Sequence, residues 1–134
     1  MKLVSSYGRS WARNKKNVTA LKEKARDPHG VYVLCDGTMP LYVGRGRIWS
    51  RVNKHMKSRS KGQYWDYFSW FEVKSRKMEK EAEALVLRML PFYLRSLNKQ
   101  RGNFTDATKV SQVHKNPDPV TKPNLGLNRK RRKK

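Results

Sequence analysis

The sequence predicts an α/β chain with a small three-stranded antiparallel β-sheet flanked by helices. Three observations point there. Two short apolar runs flank a turn in GVYVLCDGTMPLYVG, residues 30–44, as a hairpin requires. A third run, YWDYFSWFEVK, is dense in aromatic residues, which strands favour. Elsewhere the apolar period changes to that of a helix, first at Ile48, Val52 and Met56, and again from Ala82 to Leu90.

In chain order, residues 1–14 are polar and irregular, with Tyr7 and Trp11 as possible anchors. NVTALKEKARDPHG reads as a short helix. Asn17 is its expected N-cap, Val18, Leu21 and Ala25 its thin apolar stripe, and Pro28 its stop. Residues 1–28 therefore form an N-terminal helical extension. In GVYVLCD, Val31, Val33 and Cys35 alternate with Tyr32 and Leu34. Both faces are largely apolar, which suits a central strand covered on each side. DGTMP is a turn, and LYVG returns antiparallel. RGRIWSRVNKHMKSRS is an amphipathic helix, with Arg47, Arg51 and His55 in a row beside its apolar stripe, and KGQ breaks it. MEKEAEALVLRML is the clearest helix. Ala82, Leu85, Val86, Met89 and Leu90 are its expected buried face, and Glu79, Glu81 and Glu83 lie in the first turns, where the helix dipole accepts them. Pro91 ends or kinks it, and FYLRSLNKQRGNF continues as a short helical turn and a loop. The main domain thus runs over residues 29–104. Residues 105–134 are polar, proline-bearing and basic, and are expected to be extended or disordered.

The formal net charge is +22, of which the last thirty residues carry +7 and the first 104 carry +15. A folded part this basic repels itself and attracts polyanions, so nucleic acid is the first partner to consider. Membrane partners are disfavoured, because no apolar run is long enough to span a bilayer and no long basic amphipathic helix has an aromatic face. The N-terminus lacks the apolar core of a signal peptide, so the chain is expected in the cytoplasm or at the nucleoid. One cysteine, Cys35, and three scattered histidines argue against a disulfide or a zinc site. Cys35 reads as a small hydrophobe in its strand.

A core strand needs no phenol, yet each strand of the hairpin carries one, Tyr32 and Tyr42. GVY is followed by YVG, with its tyrosine ten residues on. A helix with Arg51 and His55 comes next, then a glutamate on a later helix and an asparagine beyond it. The set resembles the GIY-YIG nuclease superfamily over residues 30–104, with Val31 and Val43 where the motif has isoleucine. The resemblance implies a ββαβα core and an active site of Tyr32, Tyr42, Arg51, His55, Glu83 and Asn98, with Glu83 holding Mg²⁺ (or Mn²⁺). Glu81 competes with Glu83, and Asn103 with Asn98. Glu83 is preferred because ALVLRMLP after it matches the family's aliphatic pair and proline.

The residue types suit phosphodiester hydrolysis, which needs a base for water, a clamp on the phosphate and help for the leaving oxygen. Mg²⁺ is content with one carboxylate plus waters, and Arg51 can fork onto a phosphate oxygen. A strongly cationic pocket favours a phenolate, and on the family's pattern Tyr32 is the base. The expected activity is that of a metal-dependent endonuclease acting on DNA, with RNA as another possible substrate. The other reading is a non-catalytic nucleic-acid-binding protein that retains the fold. Phosphate contacts are expected from Arg45, Arg47 and Lys54, and from Arg129, Lys130, Arg131 and Arg132 in the tail. The aromatic run from Trp65 to Phe71 reads as core rather than as a base-stacking platform.

Overall fold

Residues 2–25, 28–57, 64–90, 98, 104–105 and 109–111 are described by the computed structural model. Among them the elements run β1 (Ser6–Ala12), α1 (Lys15–Ala25), β2 (His29–Asp36), β3 (Met39–Arg47), α2 (Ile48–Lys57), β4 (Tyr67–Glu72) and α3 (Arg76–Met89). The fold is mixed α/β, with one antiparallel sheet in the order β1-β4-β2-β3. Pro91, Asn103 and the basic run 129–132 lie outside the described residues, as do KGQ and most of the expected tail. Among the described residues, no helix is long and apolar enough to cross a membrane.

The sheet has four strands rather than the expected three, because SYGRSWA, expected to be irregular, is β1. A bulge hides its period. Gly8 pairs with Trp70 and Trp11 with Phe68, so Arg9 and Ser10 together oppose Ser69, and two side chains fall where strict alternation allows one. Ser10 takes φ 55°, and its N–H bonds the Ser69 hydroxyl at 2.9 Å. Trp11 then packs edge-on against Phe68 and Trp70, with ring centroids 5.9 and 5.4 Å away.

β2 lies between β4 and β3, as a strand apolar on both faces should. On one face Tyr32 and Leu34 join Trp65, Phe68 and Trp70 with Val18 and Leu21 of α1 and Ile48 and Val52 of α2 in a single core. Each such side chain taken fully from water contributes about 1.5–3 kcal/mol. Val18 and Leu21 of α1, with Trp11 of β1 against them, are therefore packed into the same core as the hairpin. Helix α1 begins earlier than expected. Asn14, not Asn17, caps it, taking the Asn17 N–H on Oδ1 at 2.8 Å.

Helix α3 covers the other face, over β2 and β3. Its cap is Ser75, whose hydroxyl accepts from the Met78 N–H at 3.2 Å. The expected buried face is not the one observed. Leu85 and Met89 are 55% and 74% exposed, while Glu79, Glu83 and Ala84 are buried. Partners on β2 and β3 explain the choice: two carboxylates spaced i, i+4 meet Arg45 and His29 across the interface.

Candidate active site

The β2–β3 hairpin turns at Gly37, where φ is 61°. A register shift between Leu34 and Cys35 leaves Tyr42 opposite Leu34 and Gly44 opposite Tyr32. The two tyrosines are therefore diagonal neighbours on one face, with ring centroids 6.3 Å apart. The Tyr32 ring lies over Gly44, where a Cβ would come within 2.8 Å of Cε1 and closer still to Cζ and Oη. Only a residue without a side chain fits beneath that phenol.

His55 rises from α2 onto the same spot. Its Nε2 shares a hydrogen bond with Tyr32 Oη at 2.8 Å, and its ring stands edge-on to Tyr42 at 4.9 Å. The expected surface row of Arg47, Arg51 and His55 does not exist. His55 is buried, Arg47 belongs to β3, and Arg51 is exposed. The turn of α2 that buries Val52 also buries His55 three residues on.

Tyr32 is 1% exposed, and its phenol is pushed well above its usual value of 10. Burial is the main cause. Tyr42 adds to it through charge and a hydrogen bond, Glu83 adds a little, and Arg51 opposes. This corrects the expectation of a phenolate in a cationic pocket. Desolvation outweighs the arginine, and Tyr32 stands as a neutral phenol. Tyr42 is the more open member of the pair.

From the opposite face, Arg45 joins two carboxylates of α3. Its Nη1 donates to Glu79 Oε2 at 3.0 Å and its Nε to Glu83 Oε1 at 3.2 Å. Expected to be a phosphate contact, Arg45 thus has two donors committed to carboxylates. Glu79 is fully buried and also meets His29 Nδ1 at 2.9 Å and Arg76 Nη1 at 3.1 Å. From the sequence, Glu79 reads only as a partner of the helix dipole. Its spacing of four from Glu83 was the signal that the two share a face. Burial pushes the Glu83 carboxyl up, while Arg45 and Arg51 pull it back. Glu81 points elsewhere and accepts the Thr105 N–H, which holds its carboxyl below the usual range.

Asn98 is buried against β3. Its Oδ1 accepts the Val43 N–H at 2.9 Å, and its Nδ2 donates to the Leu41 carbonyl at 2.7 Å. It thereby pairs with the outer edge of β3 on both sides of Tyr42. Arg51 reaches over Gly46, where φ is 125° and a Cβ would sit 3.2 Å from the arginine Nε. Arg47 and Lys54 are exposed nearby in the chain. Tyr32, Tyr42 and His55 are thus in mutual contact, with Arg51 and Glu83 close enough for both charges to bear on the Tyr32 phenol.

Among the described residues, no group of three or more His, Cys, Asp or Glu side chains is arranged to hold a metal ion. A Mg²⁺ site asks for less, one or two carboxylates with water and phosphate oxygens completing the shell. Glu83 fits that donor set, because Arg45 occupies only Oε1 and no hydrogen bond among the described residues reaches Oε2. Glu79, enclosed by Arg45, Arg76 and His29, does not fit. No protein-family model, curated protein or solved structure matches the chain.

Proposed function

We propose that the chain is an endonuclease of the GIY-YIG type that hydrolyses DNA phosphodiester bonds, with Mg²⁺ or Mn²⁺ held at Glu83. The observation that carries this reading is the buried Tyr32–His55 hydrogen bond beside Tyr42, with Arg51 and Glu83 bearing on the same phenol. The ion would neutralise charge on the phosphate and stabilise the leaving oxygen. Arg51, exposed on α2, is free to lie against a phosphate oxygen, with Arg47 and Lys54 adding attraction along the backbone.

A phenol whose pKa is raised does not take a proton from water unaided, but it can pass one on. With Nε2 unprotonated, His55 accepts the Tyr32 proton while Tyr32 receives one from Tyr42, which is half-buried and takes one from the attacking water. The oxygen of that water bonds to phosphorus, the P–O bond to the leaving oxygen breaks, the leaving oxygen takes a proton from solvent, and the relay ends with one proton on His55. Tyr32 is then a relay and His55 the net base, a revision of the role expected for Tyr32.

The test is incubation with supercoiled, linear, branched and single-stranded DNA in Mg²⁺, Mn²⁺ or chelator. Glu83→Gln should abolish cleavage while DNA binding is kept or tightened, since a charge repelling phosphate is lost. Glu81→Gln should matter much less. If nothing is cut, the second reading, a nucleic-acid-binding protein without catalysis, takes over; the +15 charge of the first 104 residues favours it.

A further inference from the structure

The sheet face under α3 carries a second feature that the proposed chemistry does not use. Phe71 pairs with Val31, and Val31 with Arg45, whose guanidinium reaches α3. Phe71 is therefore on the face opposite His55. Tyr7, its partner on β1, stacks on it with ring centroids 5.8 Å apart and planes 13° from parallel. Tyr7 is nevertheless 63% exposed, and Tyr67, four residues before Phe71 on the same face, is 37% exposed. The aromatic run that reads as core from the sequence is thus divided. Trp65, Phe68 and Trp70 are core, whereas Tyr67 and Phe71 look the other way.

An open aromatic stack on a sheet is suited to an unpaired base, which has a π-face to offer; a base inside a duplex has both faces occupied. The charge nearby suits the backbone of such a strand. Lys2, Arg9 and Lys74 are exposed and lie within five residues of Tyr7 or Phe71 in the chain. Two acids are chain neighbours of this face: Glu72 Oε1 accepts the Ser6 hydroxyl at 3.0 Å, and Asp66 Oδ1 accepts the Gly37 N–H at 2.7 Å. We propose that Tyr7 and Phe71 form a stacking platform for single-stranded DNA, a contact site separate from the Tyr32–His55 pair. The choice of DNA rests on the proposed function; the platform rests on the ring geometry.

Binding is measured by fluorescence anisotropy of a labelled 12-nucleotide oligo(dT), of the matching oligo(rU) and of a 20-base-pair duplex, in chelator, at several salt concentrations, with sedimentation of each protein in parallel. Tyr7→Ala should weaken oligo(dT) binding about tenfold and leave the salt slope and the duplex affinity unchanged. Tyr7→Trp should bind at least as well as wild type. Tyr7→Leu, which keeps apolar contact with Phe71 but has no π-face, should behave like Tyr7→Ala, separating stacking from a loss of folding. Oligo(dT) affinity within twofold of wild type for both small variants overturns the proposal. So does an equal loss on duplex, a loss confined to oligo(rU), or a change in sedimentation showing that Tyr7 instead meets a second copy. Because no cleavage is needed, failure of the nuclease reading leaves this measurement standing.

Discussion

Replacing Gly44 by alanine tests whether the site is built around the Tyr32 phenol. A Cβ at Gly44 would lie 2.8 Å from Tyr32 Cε1 and nearer still to Cζ and Oη. Carbon atoms in good contact are about 3.5–4.0 Å apart, so the ring must retreat by roughly 1 Å. It has little freedom to do so. Tyr32 is 1% exposed, packs in the same core as Ile48 and Val52, and is hydrogen-bonded to His55 at 2.8 Å. Overpacking of this kind costs about 1–3 kcal/mol, and stretching the hydrogen bond beyond its useful range adds about 1 kcal/mol. At about 4 °C for each kcal/mol, the melting temperature should fall by roughly 8–16 °C. The clash also predicts coupling. With Tyr32→Leu in place the space is vacated, and Gly44→Ala should then cost under about 0.5 kcal/mol. Thermal and urea unfolding of the four proteins of this cycle measure both numbers. A Gly44→Ala variant that melts within 2 °C of wild type, or that costs the same in both backgrounds, would refute the reasoning.

Glu79→Gln removes the charge that Arg45, His29 and Arg76 surround. Those partners are partly exposed and recover some water, so the loss should be about 2 kcal/mol, and an unchanged urea midpoint would show that the cluster does not hold α3. Alkaline pH should destabilise the wild type more than Tyr32→Phe. The unfolded phenol ionises near 10 while the folded one keeps its proton, so stability is intact below pH 10 and falls above it by up to about 1.4 kcal/mol per pH unit. Parallel curves for the two proteins above pH 10 would contradict the raised value. Deleting Arg129 to Lys134 removes six cations and should lower the slope of log affinity against log salt by up to about 5; an unchanged slope would mean that the tail does not touch DNA.

The hairpin was legible because its signal is local: two runs of period two around a Gly-bearing turn. Strand β1 was not, since the bulge at Arg9 and Ser10 destroys that period and its pairing with β4 joins residues some sixty positions apart. The face of α3 was misread for a related reason. Ranking by hydrophobicity turns Leu85 and Met89 inward, but Glu79 and Glu83 find Arg45 and His29 on strands far back in the chain, and a buried carboxylate is stable only where such partners wait. At the site, the residue types were readable one by one. Their states were not. That Tyr32 is a covered neutral phenol depends on Gly44 lying beneath it and His55 closing over it, two contacts that no local pattern encodes.

The strand order explains why these groups gather where they do. β3 is an edge strand, and an edge leaves backbone groups unpaired that invite non-specific pairing. Here Asn98 takes up two of them, the Leu41 carbonyl and the Val43 N–H, and so fixes the stretch of strand that bears Tyr42. Just beyond, Gly44 and Gly46 leave the α2 side of the strand without side chains, which admits the Tyr32 ring and the Arg51 guanidinium close to the backbone. Between them Arg45 points to the other side and holds Glu83 and Glu79. Residues of one sheet face meet only at every second position. At an edge thinned by two glycines, groups from both faces can act on one point, and the Tyr32 phenol feels Arg51 from one side and Glu83 from the other. On the proposed reading, a base and a phosphate clamp on one face and a metal-holding carboxylate on the other would serve the same scissile bond at this edge.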